Sequence, residues 1–389
     1  MKRIVHIAPI APYNIGWGYQ ENLLPKYQKE LGYEVTLIIT NTQNETNGMI
    51  SETEEVDYIM EDGVRLIRKR IKHYGNRLID FMFSNLQVFP FLIEIRPDLV
   101  FFHGLVSISI LDVIKYKKKY NPQCVIVQDN HHDPNIGRKT DSLLGKIMRA
   151  FYVCLNHYSQ KYVSKVYGVT PWREQYAKDY FRIDSAKTDV LIMGADDQKV
   201  DLEHRQSIRN LLRTKLGIEN NEFLVCSGGK IDAAKNIHLL IKACKDIQDV
   251  KLLVFGKVSD EFKEEFEECA KDCNNLINVG WIPGDQVYSY FFASDLVVFP
   301  GQHSVLWEQA CASKVPCVFK HYEGMEHVNN GGNSILLDSI SVESLCATIE
   351  SLKFTDLYTK IKRVAESDKT DIYMYSNIAK KSVEMIENN

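Results

Sequence analysis

The sequence predicts an α/β protein built from two doubly wound domains, and three observations carry that expectation. Short β-rich runs alternate with helical stretches, and the alternation occurs twice along 389 residues. The strand runs are near-continuously apolar, as in parallel sheets covered on both faces. The stretch TDVLIMGADD carries the chain from the first series to the second.

KRIVHIA opens the chain as the first strand. GYQENLLPKYQKELG follows as a helix, because Leu23, Leu24, Tyr27 and Leu31 recur at helical spacing and Gly32 supplies a C-cap. YEVTLIIT, DLVFFHG, QCVIVQD and SKVYGVT are the further strands of the first series. EFLVCSGG, VKLLVFG, NLINVGW, DLVVFPG and VPCVFK are those of the second. The acidic TQNETNGMISETEEVD, Thr42 to Asp57, reads as a mobile surface loop.

Charge is unevenly placed. Between Arg65 and Asp184 there are 20 Lys/Arg against 10 Asp/Glu, a balance of +10, whereas the whole chain carries −4 and the remainder therefore −14. RLIRKRIKHYGNRLIDFMF and KYKKKY mix cations with aromatic and apolar residues, the pattern of helices lying on an anionic membrane surface. No helix-turn-helix, zinc or ribonucleoprotein signature accompanies the charge, which argues against nucleic acid. No apolar run approaches the ~20 residues of a bilayer span, and the opening stretch lacks the unbroken apolar segment of a signal peptide. The expected location is cytoplasmic, peripheral on the inner face of the cell membrane. Nine cysteines, with no C-x-x-C pair, read as reduced core residues.

In open α/β sheets, ligands bind beyond the carboxyl ends of the strands. Four places qualify. In APIAPYNIGWGYQ, Gly16 and Gly18 can bring backbone N–H groups close to a phosphate or sugar, or simply make a tight turn. Glu21 stands where a dinucleotide fingerprint has its last glycine, which argues against nicotinamide or flavin. In SGGKIDAAKN, Lys230 and Lys235 lie five positions apart, within reach of one diphosphate. In LVVFPGQHSVLWEQACASKVP, Gly301 to Ser304 precede a helix, and Glu308, one turn inside, suits the two hydroxyls of a ribose. His103 ends DLVFFHG and His131/His132 end CVIVQDNHHD, positions suited to proton handling. No Asp-x-Asp pair occurs, and His131, His132 and Asp133 are too close in sequence to converge readily on an ion, so no metal is expected.

The ordered motifs GWGYQENLLPKYQKELGYEVTLI, MGADD, GGKIDAAKN, VGWIP, LVVFPGQHSVLWEQACASKVP and YSNIAKKSVEMIE resemble, over nearly the whole chain, the GT-B glycosyltransferases of family 4, glycosyl transferases group 1. The resemblance implies two Rossmann-like domains facing across a cleft: an acceptor domain over 1–190, completed by a C-terminal helix over 371–389, and a nucleotide-sugar domain over 191–370. It implies retaining transfer of a sugar from a UDP- or GDP-sugar to a lipid-linked or oligosaccharide acceptor, in surface polysaccharide or glycolipid synthesis, with no metal cofactor. Residue by residue, it implies that Lys230 and Lys235 meet the donor diphosphate and that the amides of His303, Ser304, Val305 and Leu306 face phosphate. Glu308 would hold the ribose, Ile282 and Trp281 the base, with Gly16 and Gly18 at the donor. His131 is the implied crevice histidine, with His103 beside it. One departure stands out: the family's first glutamate, eight positions before Glu308, is Pro300 here, so Gln302 or His303 would take that role. A nucleotide-sugar 2-epimerase and an inactive nucleotide-sugar-binding partner of another transferase are the alternatives.

Overall fold

The structure, a computed structural model, describes residues 1–45, 49–132, 142–271 and 273–387. It divides into two compact units, Met1–Met193 with Ile378–Asn389, and Gly194–Asn377.

The first unit contains β1 (Arg3–Ala8), β2 (Glu34–Thr40), β3 (Thr42–Asn44), β4 (Ile50–Glu52), β5 (Val56–Ile59), β6 (Arg65–Lys69), β7 (Leu99–His103), β8 (Val125–Asn130), β9 (Lys165–Gly168) and β10 (Thr188–Val190). Eight of these form one sheet in the order β10-β9-β8-β7-β1-β2-β6-β5. All its pairings are parallel except that of β5 with β6. The apolar runs explain the central position of β1 and β7: Ile4, Val5, Ile7 and Leu99 to Phe102 are wholly buried, as strands covered on both faces must be. Helix α1 (Gln20–Glu30) lays Leu23, Leu24 and Tyr27 on the sheet and ends at Gly32 with φ +93°. Leu31, expected on the same face, lies past the last helical residue and is exposed.

Three sequence expectations are corrected here. Thr42 to Asp57 is not a plain loop, because β3 and β4 pair antiparallel as a separate ribbon and β5 joins the main sheet. RLIRK is not the start of a basic helix. It is β6, which pairs with β2 on one side and β5 on the other, so ladder bonds outweigh the helical charge pattern. Arg68 tolerates burial because its guanidinium lies 5.5 Å over the Tyr13 ring and donates to the Tyr13 carbonyl at 3.1 Å. Third, six cysteines are buried, but Cys154 is exposed and Cys269 and Cys346 are half-buried.

The second unit contains β11 (Phe223–Gly228), β12 (Val250–Phe255), β13 (Leu276–Gly280), β14 (Leu296–Phe299), β15 (Cys317–Lys320) and β16 (Ser334–Leu337), all parallel, in the order β13-β12-β11-β14-β15-β16. In each unit the strand order reverses once, between β1 and β7 and between β11 and β14. Loops at these two points diverge to opposite faces of the sheet and open a crevice, which is where ligands bind in such sheets.

Candidate functional site

In the second unit, the loops after β11 and β14 lie against each other. Gly301 makes this possible: a Cβ there would lie 2.3 Å from the Lys235 Cα and 2.4 Å from the Ala234 carbonyl oxygen. The Gln302 amide donates to that carbonyl at 3.1 Å, and Asn236 Nδ2 donates to the Pro300 carbonyl at 3.0 Å. Lys235 Nζ donates to the carbonyls of Gln302 (2.7 Å) and His303 (3.4 Å), and burial pushes its pKa down. Lys230 differs. Its side chain is 71% exposed and pairs with Asp232 at 3.3 Å.

The helix Leu306–Ala312 starts later than the phosphate-facing stretch expected from sequence, so His303 and Ser304 lie in the loop before it and Val305 is its N-cap. Among the described residues, the amides of Ser304, Val305 and Leu306 have no hydrogen-bond acceptor, which leaves three donors together beside Lys235. Glu308 is wholly buried. Its Oε1 accepts from His303 Nε2 and His327 Nε2, each at 2.8 Å, and Oε2 lies 3.1 Å from His303 Nε2. Burial alone would raise the carboxyl's pKa, but the two histidines outweigh it and hold it at about 2. A ribose hydroxyl would therefore have to share or displace a histidine. Trp281 (71% exposed) and the half-buried Ile282 follow β13, two strand spacings or about 10 Å from β11.

In the first unit, a pocket of about 300 Å³ lies beyond β1, lined among others by Tyr13, Asn14, Gln20, Glu21, His131 and Met193. Gln20 is wholly buried, and neither its amide nitrogen nor its oxygen has a partner, so the pocket wall carries an unsatisfied donor and acceptor. Gly16 has φ +80° and is exposed, and Gly18 is half-buried in the same loop. His131, at the pocket, lies 3.2 Å from Asp129 Oδ2. His103 does not reach the surface as expected. It is buried between Asp129 (2.6 Å) and His6 (3.0 Å).

Two clusters bring three metal-ligating atoms within 4.8 Å: Glu21, His103 and His131, and His303, Glu308 and His327. Both nitrogens of His103 already serve hydrogen bonds, and both facing nitrogens of the second cluster are directed at Glu308. Asp133 lies outside the described residues. The residues missed from sequence were Gln20, Asp129 and His327. GMEHVNN, a polar run after β15, was the available signal for His327, whereas Asp129 read only as part of an apolar strand.

Residues 208–366, which hold both loops and Glu308, match the family model of glycosyl transferases group 1. These two loops and Glu308 therefore lie in a region similar to the group 1 glycosyltransferases, a region that makes up under half of the chain. The chain is 24% identical over 283 residues to the processive diacylglycerol alpha-glucosyltransferase of Acholeplasma laidlawii, covering 67% of this chain and 81% of that one. In fold it is similar to a glycosyltransferase from Rickettsia africae (TM-score 0.72, 17% identity, 100% of this chain and 98% of that one). It is also similar to Anabaena HepE, solved in complex with UDP-glucose (TM-score 0.67, 16% identity, 100% of both chains). These are GT-B proteins, and the two Rossmann-like sheets of this chain make the same fold.

Proposed function

We propose that this chain is a group 1 glycosyltransferase that moves a sugar, with retention, from a UDP- or GDP-sugar to a hydroxyl of a lipid-linked or oligosaccharide acceptor in surface polysaccharide or glycolipid synthesis. The observation that carries the donor half is the group of three unpartnered amides, Ser304 to Leu306, beside the desolvated Lys235 at a strand-order reversal. Positive potential fixed there, before any ligand arrives, stabilises the charge that develops on a leaving diphosphate without reorganisation. HepE, a neighbour in fold, was solved with UDP and with UDP-glucose, which favours UDP. On this reading Lys235 and the amides take the role a metal ion would otherwise fill, Lys230 swings in from solvent, and Glu308 orients the ribose together with His303. His131 accepts or shares the acceptor's proton.

Two observations favour a lipid acceptor. The relative from Acholeplasma laidlawii is named for diacylglycerol. On the helix Leu143–Ser159, Leu143 (77%), Leu144 and Ile147 (51%) are exposed around Lys146, an apolar tip with a cation as a membrane surface would attract. No helix among the described residues is long and apolar enough to cross a membrane.

The test is release of nucleoside diphosphate in the presence and absence of a lipid acceptor, after a panel of nucleotide-sugars has been ranked by thermal stabilisation. A donor present at ~100 Kd stabilises by ~2.7 kcal/mol. Acceptor-dependent release is expected; conversion of the donor sugar with no acceptor present would instead assign an epimerase.

A further inference from the structure

We propose that a buried hydrogen-bond chain, Ala379–Ser382–Gln28–His6–His103, fixes one proton between His103 and Asp129, and that Gln28 is thereby a positioning residue for His131. This rests on the reading of His131 as the group that handles the acceptor's proton.

The polarity begins at an atom that can only accept. The Ala379 carbonyl receives the Ser382 hydroxyl at 2.6 Å, so Ser382 Oγ is left to accept from Gln28 Nε2 at 2.8 Å. The Gln28 amide therefore turns Oε1 toward His6 Nε2, 2.7 Å away, and that nitrogen must carry a proton. His6 is wholly buried, and burial together with His103 pushes its pKa down to about 3, so it holds a single proton and its Nδ1 is bare. His103 Nε2, 3.0 Å from that Nδ1, must donate. His103 Nδ1 then faces Asp129 Oδ2 at 2.6 Å, and a hydrogen bond there requires a further proton. The two groups share it and are neutral as a pair. Asp129 also accepts from the Gly104 amide (2.9 Å) and from His131 Nε2 (3.2 Å), which leaves Nδ1 as the basic atom of His131.

The charged or titratable groups that face His131 are Asp129 on β8, His103 on β7, Glu21 on α1 and Arg173 on the helix Pro171–Phe181. Gln28→Met removes the acceptor that holds the His6 proton on Nε2. That proton can then move to Nδ1 and donate to His103, whose remaining proton serves Asp129 alone. The pair loses one proton, and His131 faces an unneutralised carboxylate. A base beside added negative charge keeps its proton to higher pH, so the rising limb of kcat/KM moves up by about one pH unit.

The experiment labels the histidines of the full chain with ¹⁵N and reads their tautomers by NMR. The expected result is a proton on Nε2 of His6 and on Nε2 of His103. A proton on His6 Nδ1, or a bare His103 Nε2, overturns the proposal and needs no variant to show it. In Gln28→Met the pH limb should rise, while Gln28→Glu, which still accepts from His6, should keep the His6 tautomer. A Gln28→Met enzyme with lower stability and an unmoved pH limb would make Gln28 merely structural, which also overturns it. His131→Asn separates the two readings: full activity in that variant removes the proton-handling role of His131 while the tautomer pattern stands.

Discussion

Replacing Lys235 with Met keeps much of the side chain's length and removes the ammonium from beside three free amides. The loss of a charge-assisted contact of roughly 1.5–3 kcal/mol corresponds to about 10- to 100-fold in kcat/KM. Steady-state kinetics on the folded variant checks this, and unchanged kinetics would detach Lys235 from the diphosphate. Glu308 adds a pH dependence whose sign follows from its environment. Its folded pKa of about 2 lies below the ordinary 4.5, so the stability it contributes is fully present above about pH 4.5 and is lost as pH falls toward 2. The difference corresponds to roughly 3 kcal/mol. Urea midpoints measured from pH 6 to pH 2 should fall more steeply for the wild type than for Glu308→Gln, and parallel curves would show that the carboxylate is not held by His303 and His327. At this scale the sequence displayed Lys235, Glu308 and His131 because each follows the carboxyl end of a strand: His131 directly after β8, Lys235 in the loop after β11 and Glu308 in the short helix after β14. It hid the pairing of Glu308 with His327, since that contact joins residues nineteen positions apart through the turn after β15.

Between elements, the crevice proposed for the donor depends on one close approach of the loops after β11 and β14. Gly301→Ala would place a methyl against the backbone of Lys235, which cannot yield as a flexible side chain can. The loop after β14 must then move, with a cost of about 1–3 kcal/mol and loss of nucleotide affinity. Gly284, with nothing within 4 Å of a built Cβ, is the control, and Gly284→Ala should stay within about 0.5 kcal/mol. Calorimetric titration with UDP and melting curves measure both; equal behaviour of the two variants would remove the close approach from the account. Most parallel strands were legible because each is built around an apolar run, although the short β10 and β16 were not named from sequence. β6 was not, because three of its five residues are cations, and only pairing with neighbours on both sides stabilises such a strand. A short ribbon such as β3–β4 gives an equally weak signal, since neither strand has a buried face to impose alternation.

For the molecule as a whole, the fold class was readable because two rounds of strand and helix admit few other architectures. The proposed membrane contact rests on the exposed apolar tip of the helix Leu143–Ser159, since Arg65–Lys69 is withdrawn into a sheet. Sedimentation with anionic vesicles should succeed at low salt, fail at high salt, and weaken in Leu143→Ser/Ile147→Ser, because both attraction and insertion are needed. Equal binding to neutral vesicles would contradict it. If, as proposed, Lys235 and the amides hold the diphosphate, turnover should persist in a chelator; abolition by EDTA with recovery on Mg²⁺ would contradict that arrangement.

The helix Tyr375–Glu387 has a consequence in the order of synthesis. Ile378, Ala379, Ser382, Val383 and Ile386 are buried, and the helix is tied to the first unit by Gln28 to Ser382, by Tyr33 to Glu387 and by Lys381 to the Val190 carbonyl. A ribosome therefore delivers all of Gly194–Asn377 before the first unit receives the side chains that close its core. Until then the nascent first unit waits with an apolar face uncovered, a state in which chaperones find their clients. A chain stopped after Asn377 should leave the first unit soluble only in their company, even though every one of its strands has been made.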